Sequence, residues 1–107
     1  MSVPGYRFHP AATEDLDAAG EWYDAQLPGL GLDLIDSVER AIELILQQPA
    51  AWQRDSVVSS REIRRFVMRR FPFSIVYYVV DDIVRIVAIA HAKRKPGYWR
   101  MRIRDAI

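Results

Sequence analysis

The chain has 107 residues, of which 50% are hydrophobic and 27% charged, proportions ordinary for one globular domain with a modest core over residues 1–107. It contains no cysteine, which excludes disulfide bonds and thiolate chemistry and suits a reducing compartment. The first ten residues lack the pattern of a secretion signal, and no apolar run approaches the roughly 20 residues that cross a bilayer. We therefore expect a cytoplasmic protein without contact with a membrane.

The charges are divided unevenly along the chain, although the net charge is only +1. Residues 1–60 carry three basic and ten acidic residues, a net charge of −7. Residues 61–107 carry twelve basic and four acidic residues, a net charge of +8, and the cations concentrate in 61–70 and 93–104. This clustering favours a surface for an anionic partner, while the alternative is that the two halves only attract each other.

The N-terminal segment predicts a short strand and an amphipathic helix. The strand covers residues 5–9, and Pro10 suits the first position of a helix because its missing N–H is not needed there. The acidic side chains of this helix, Asp15 among them, are expected to point outward, and Trp22 and Tyr23 to lie in a contact between helices. Its apolar positions, at spacings of three and four, are Ala12, Leu16, Ala19, Tyr23 and Leu27.

A second helix follows the break "LPGLG" at 27–31. It is predicted from about Leu32 to Gln48 and ends before Pro49, which cannot continue a helix. Its apolar side chains form one stripe, so the two helices should make a hairpin that covers one face of a sheet. These side chains are Leu34, Ile35, Val38, Ala41, Ile42, Ile45 and Leu46.

The C-terminal half predicts three strands. Residues 49–61 show little periodicity and are expected to form a loop. The strands are "EIRRFVM" (62–68), "FSIVYYVV" (73–80) and "IVRIVAIAH" (83–91), all rich in β-branched and aromatic residues. Because the breaks between them are short, they should form an antiparallel meander. The predicted fold is therefore α+β, in the order β-α-α-β-β-β.

Four segments in order resemble the RelE/ParE superfamily of bacterial toxins. They are "EWYDAQLPGLG" at the helical turn, "QQPAAW" after the second helix, "RRFPFSIVYYV" leading into the central strand, and "AIAHAKRKPGYW" at the end of the last strand. The resemblance covers nearly the whole chain. It implies the toxin of a type II toxin–antitoxin module, neutralised by the flexible C-terminal segment of a protein antitoxin in a hetero-oligomer.

The superfamily offers two targets, which require different residues. RelE-like members cut mRNA on the ribosome without a metal, whereas ParE-like members poison DNA gyrase and break no bond themselves. Metal-free cleavage needs a base, an acid and cations that stabilise charge on the phosphorus. By resemblance, Arg94 would clamp the phosphate, and Tyr98 or His91 would move protons or stack a base. The cations expected to bind the target are Arg65, Arg69, Arg70, Lys93 and Lys95.

The chain departs from the nuclease pattern in the central strand. Ser74 stands where RelE-like nucleases carry an arginine, so one strong cation is missing. Arg65 and the apolar Val67 correspond loosely to the lysines of the preceding strand in those nucleases. His91, in "AIAH", is more similar to the ParE side. We therefore expect gyrase poisoning ahead of mRNA cleavage, with a non-toxic member that only represses its operon together with its antitoxin as a further possibility.

Plain structural roles compete with these assignments. His91 could be half-buried and bonded to a backbone carbonyl, and Trp99 is expected to pack rather than to recognise a ligand. Tyr77 and Tyr78 lie on opposite faces of a strand, so one should be buried and the other exposed. With two histidines and no cysteine we expect no metal site, and we expect no cofactor. Three alternating arginines could be a solvated or antitoxin-binding edge, namely Arg100, Arg102 and Arg104.

Overall fold

The computed structural model describes residues 4–104. One strand, two helices and four further strands follow one another along the chain, and the five strands form one sheet. A short 3₁₀ helix, Arg100–Arg104, comes last. The α+β fold is confirmed, and both helices begin and end within two residues of their predicted positions. The elements are β1 Gly5–Phe8, α1 Pro10–Gln26, α2 Leu30–Gln47, β2 Gln53–Val58, β3 Arg61–Val67, β4 Phe73–Val80 and β5 Ile83–His91.

The sheet has the strand order β1-β5-β4-β3-β2. β2 to β5 form an antiparallel meander, and β1 joins it in parallel beside β5. The expected loop at 49–61 is wrong, because β2 lies within it. β2 is an edge strand with mostly exposed residues and a bulge between Arg54 and Ser56. It therefore lacks the apolar alternation by which a strand is recognised.

The helical hairpin packs on one face of the sheet. Pro10 is the first residue of α1, as predicted, and the Nδ1 atom of His9 caps the helix by accepting from the N–H of Ala11 at 2.9 Å. The two helices meet closely at Gly31, where an added Cβ would lie 2.5 Å from the carbonyl oxygen of Gly20. The core on this face includes Leu34, Val38, Ile42, Ile45, Ile75, Tyr77, Ile86 and Ile89.

The opposite face of the sheet is covered by the C-terminal segment. Trp99 and Ile103 bury it together with Ile63, Val76 and Tyr78. The packing role expected for Trp99 is confirmed, since the residue is only 1% exposed. The expectation that one tyrosine of β4 would be exposed is wrong, because Tyr77 faces the helices and Tyr78 lies beneath this segment.

None of the helices within residues 4–104 combines the length and the apolar run that a membrane span requires.

Candidate functional site

The site is built where β5 extends beyond its neighbour β1. The pairing of β1 with β5 ends at Ile86, so the next backbone groups of β5 are paired with β4 on one side but have no strand of residues 4–104 on the β1 side. Two side chains take the place of that strand. The Asp15 carboxylate accepts from the N–H of Ile89 at 3.1 Å, and the Arg102 guanidinium donates to the carbonyl oxygen of Val87 at 3.0 Å. α1 and the C-terminal segment are thereby fixed to the same edge of the sheet.

Asp15 and Arg102 also bind each other. Two guanidinium nitrogens of Arg102 lie 2.7 and 3.2 Å from the two carboxylate oxygens, and the side chains are only 17% and 12% exposed for Arg102 and Asp15. Burial alone would lower the pKa of Arg102, but the hydrogen bond and the charge of Asp15 outweigh it and raise this pKa. The expectations that Asp15 points outward and that Arg102 is solvated are therefore wrong.

Tyr98 belongs to the same network. Its hydroxyl donates to Asp15 at 3.2 Å. Burial, and then the negative charge of Asp15, raise the pKa of Tyr98 from 10.0 to about 12. The phenol is thus protonated at neutral pH and acts as a hydrogen-bond donor.

Arg94 stacks on Tyr98. The guanidinium carbon of Arg94 lies 3.9 Å from the centre of the ring, and that of Arg102 lies 5.1 Å from it. The turn after β5 holds Arg94 in place, because its N–H donates to the carbonyl oxygen of His91 at 3.0 Å. The Nδ1 atom of His91 also accepts from the N–H of Lys93 at 3.0 Å. Arg94, His91 and Tyr98 are therefore brought together.

An open groove of about 780 Å³ runs between α1 and the ends of β4 and β5. Its walls are mainly apolar, and Trp22 projects from α1 with 60% of its surface exposed. Trp22 therefore does not lie between the helices as expected. Tyr23 packs on Phe71 and Phe73 at the edge of the core. The groove is lined by Ala11, Ala18, Ala19, Trp22, Tyr23, Phe73, Ile89, His91, Lys93, Arg94 and Tyr98, among others.

A smaller, polar cavity of about 320 Å³ lies on the other face of the sheet, beneath the loop that follows β5. This loop turns at Gly97, whose φ of +75° favours glycine. His91, Arg94 and Tyr98 line both the groove and this polar cavity, so they form the wall between the two. The polar cavity is also lined by Gln53, Arg54, Asp55, Arg65, Ser74, Lys95 and Trp99.

The cations predicted from the sequence fall into separate places. Lys93 lines the groove with Arg94, while Arg65 and Lys95 line the polar cavity. Arg69 and Arg70 lie elsewhere, beside α2, where Arg70 pairs with Asp33 at 3.0 Å. Within residues 4–104, no carboxylate forms an ion pair with Lys93, Arg94 or Lys95.

The sequence interpretation missed Asp15 as a site residue. A signal for it exists, because Asp15 lies three residues after Ala12 and four before Ala19, on the inward stripe of α1. A carboxylate at such a position needs an internal partner, and Arg102 is that partner. No signal of this kind marks Trp22, because an exposed tryptophan and a buried one are indistinguishable at the margin of an apolar stripe.

The secondary-structure elements form a small α+β domain in which a helical hairpin packs on a meander sheet, and the groove lies beside α1. The sequence matches the family model of the ParE toxin of type II toxin–antitoxin systems, parDE, over residues 6–96. The chain therefore belongs to the ParE toxin family.

A solved structure supports the fold. The chain is similar to a structure described as "Chromosomal ParDE TA system from P. aeruginosa", with a TM-score of 0.72 and 22% identity. The similarity covers 85% of this chain and 98% of that one. At this identity the likeness concerns the fold alone. No curated protein matches the sequence.

Proposed function

We propose that the chain is a growth-arresting toxin that poisons DNA gyrase and is neutralised by an antitoxin bound in the groove. The ParE family match, over most of the chain, supports the toxin assignment. The similar solved structure is that of a ParDE system, which supports a protein antitoxin as partner. The hetero-oligomer expected from the sequence follows from such a partner.

The groove has the properties of a peptide-docking surface. It combines apolar walls, a largely exposed tryptophan, the carboxylate of Glu14 and two cations, Lys93 and Arg94, that pair with no carboxylate within residues 4–104. Tryptophan and arginine are the residues that contribute most often to binding hot spots. Charge complementarity then favours an antitoxin segment that carries apolar side chains and at least one carboxylate.

The state of the cations favours gyrase over mRNA as the target. Metal-free RNA cleavage needs cations free to meet a phosphate and a group that can accept a proton. In this chain Arg65 is paired with Asp55 at 3.1 Å, Ser74 supplies no charge, and Tyr98 keeps its proton. The pairing of Arg65 with Asp55, beside an uncharged Ser74, is the observation that carries the choice.

A RelE-like ribonuclease is the second candidate function. It is favoured by Arg94, whose guanidinium stacks on Tyr98 and lines both cavities without a paired carboxylate within residues 4–104. His91 beside it could accept or donate a proton. In that case the ribosome would have to supply the missing charge. A non-toxic member that acts with its antitoxin in operon repression would need neither target.

Induction of the chain alone in a bacterial host tests the target. Poisoning should give covalent gyrase–DNA complexes and an SOS response, with mRNA 5′ ends unchanged. Codon-phased mRNA ends without gyrase complexes would refute the gyrase proposal and support the ribonuclease. Normal growth with folded protein present would refute both and support the non-toxic member.

A pair of arginine variants tests the site in the same host. Arg94→Ala should abolish growth arrest, because it removes the guanidinium that lines both cavities. Arg104→Ala is the matched control, since Arg104 is exposed at the end of the 3₁₀ helix and should be dispensable. Equal toxicity of the two variants would remove Arg94 from the site.

A second pair of variants tests the groove. Trp22→Ala should weaken binding of the cognate antitoxin by tenfold or more, the usual effect of truncating a hot-spot tryptophan. Leu32→Ala removes an apolar side chain of similar exposure, 64%, from α2 outside the groove and should bind normally. Equal affinities for the two variants, measured by calorimetry, would place the antitoxin elsewhere.

A further inference from the structure

The bulge of β2 brings one carboxylate into the polar cavity. The register of β2 with β3 shifts between Arg54 and Ser56, and Asp55 is the residue at this irregularity. Its side chain lines the cavity and is only 20% exposed. The hydroxyl of Ser56 donates to one of its oxygens at 2.8 Å, which fixes the carboxylate. A β-bulge commonly changes the direction in which a side chain points, and this bulge directs the Asp55 side chain into the cavity.

Asp55 meets the cation that β3 contributes to this cavity. Its Oδ1 atom lies 3.1 Å from the Nε atom of Arg65, a side chain that is 29% exposed. The buried Nε–H is nevertheless not directed at that oxygen, so charge attraction rather than a well-formed hydrogen bond holds the pair. The charge of Arg65 is thus neutralised, but its Nε–H makes no well-formed hydrogen bond to Asp55.

The remaining lining of the cavity suits an oxyanion. Arg94 and Lys95 come from the loop after β5, and Ser74 offers a hydroxyl from β4. Among the lining residues that the structure describes, Asp55 is the only acid. A phosphate group bound between these cations at Arg65 would therefore lie close to the carboxylate of Asp55, which is paired with that arginine.

We propose that Asp55 determines specificity by excluding phosphate groups from the polar cavity. The carboxylate occupies the place beside Arg65 that a phosphate would take, and its negative charge repels any second anion there. Like charges a few ångströms apart in a partly buried site repel strongly, and removal of one of them raises the affinity for an anion by about tenfold or more. This inference does not depend on gyrase as target or on an antitoxin in the groove.

The substitution Asp55→Asn tests the proposal, because the amide keeps the shape of the side chain and removes its charge. Inorganic phosphate is titrated into the isotopically labelled chain while backbone amide chemical shifts are followed by NMR. Asp55→Asn should give saturable shifts at residues 65, 74, 94, 95, 97 and 98, with an affinity about tenfold or more above that of the unchanged chain.

Asp33→Asn is the matched control. It also raises the net charge by one and also releases one arginine, because Asp33 pairs with Arg70 at 3.0 Å, but it lies outside the polar cavity. It should bind phosphate no better than the unchanged chain at residues 65, 74, 94, 95, 97 and 98. A double variant, Asp55→Asn with Arg65→Gln, should lose the gain, because the released guanidinium is then absent.

Three results would overturn the proposal. The first is equal phosphate affinity of Asp55→Asn and Asp33→Asn, which would mean that any gain in affinity comes from the net charge alone. The second is saturable binding of phosphate at residues 65 and 74 in the unchanged chain, which would mean that Asp55 excludes nothing. The third is failure of both Asp55→Asn and Asp55→Ser to fold, shown by circular dichroism, which would make the carboxylate a structural requirement of β2.

Discussion

The substitution Asp15→Asn should be among the most damaging that can be made at a polar residue of this chain. The Asp15 carboxylate receives hydrogen bonds from two nitrogens of Arg102, from the hydroxyl of Tyr98 and from the N–H of Ile89. The asparagine oxygen can keep only part of this set, and the charge of Arg102 loses its counterion. Arg102 is only 17% exposed, so water cannot fully replace the carboxylate.

The magnitude follows from the burial of the pair. Removing one partner of a fully buried ion pair costs about 3–5 kcal/mol, because the other charge remains buried and unpaired. Here both side chains keep some exposure and the amide retains an acceptor, so we expect a loss of about 2–3 kcal/mol in the free energy of unfolding. The exposed pair Asp33–Arg70 supplies the comparison, since Asp33→Asn should cost less than about 1 kcal/mol.

Urea unfolding followed by tryptophan fluorescence measures both losses, and Trp99 reports directly because it is buried beside the C-terminal segment. A second measurement separates charge from packing. The double variant Asp15→Asn with Arg102→Gln should recover part of the stability, since it leaves no unpaired charge and both amides can still hydrogen-bond the backbone groups of Ile89 and Val87. The reasoning is refuted if Asp15→Asn and Asp33→Asn are equally stable, or if the double variant is less stable than Asp15→Asn.

Three further predictions concern the backbone and the tyrosines. Asp82→Gly should stabilise the chain by about 1 kcal/mol in thermal unfolding, because Asp82 has a φ of 59° in the two-residue turn between β4 and β5, where glycine is unstrained. Gly31→Ala should destabilise it by about 2 kcal/mol, since the new Cβ would press on the Gly20 carbonyl oxygen at 2.5 Å. The control Gly20→Ala, whose Cβ would meet one side-chain atom at 4.0 Å, should gain up to about 1 kcal/mol, and equal effects of the two would contradict this packing. Burial raises the pKa of Tyr77 and Tyr98 from 10.0 to about 12. Because the unfolded chain loses these protons first, the free energy of unfolding measured with urea should be unaffected by the two groups below pH 10 and should fall between pH 10 and about 12. The fall should be less steep in Tyr98→Phe.

The central part of the fold could be predicted from the sequence because its residues face a core. β4 and β5 begin and end at the predicted residues, 73–80 and 83–91, since runs of Val, Ile and Tyr between tight turns leave few other solutions. β2 was missed for the opposite reason. It lies at the sheet edge, carries exposed polar side chains and contains a bulge, so only its pairing with β3 makes it a strand.

The candidate site was predictable where it depends on local sequence. Arg94 lies among cations directly after β5, and its proximity to His91 and Tyr98 follows from a tight turn. The contacts made across the fold were not predictable in this way. Asp15 and Arg102 are 87 residues apart in sequence, and their pairing depends on how α1 and the C-terminal segment meet at the edge of β5. Asp55 reaches the polar cavity only because of the bulge.

The acidic first half and the basic second half of the chain contribute in two ways: some of their charges pair with each other, and other cations stay unpaired. Within residues 4–104, three ion pairs join an acid of the first 60 residues to a base of the remainder, so part of the asymmetry is internal attraction between the halves: Asp15–Arg102, Asp33–Arg70 and Asp55–Arg65. What these pairs leave behind is informative. Lys93, Arg94 and Lys95 are consecutive and exposed, and no carboxylate within residues 4–104 pairs with them. Since three adjacent cations repel one another, an anionic partner at this turn would relieve a cost that the fold itself does not relieve. The three cations therefore form a positive surface at the turn after β5 that is narrower than the one the composition indicates.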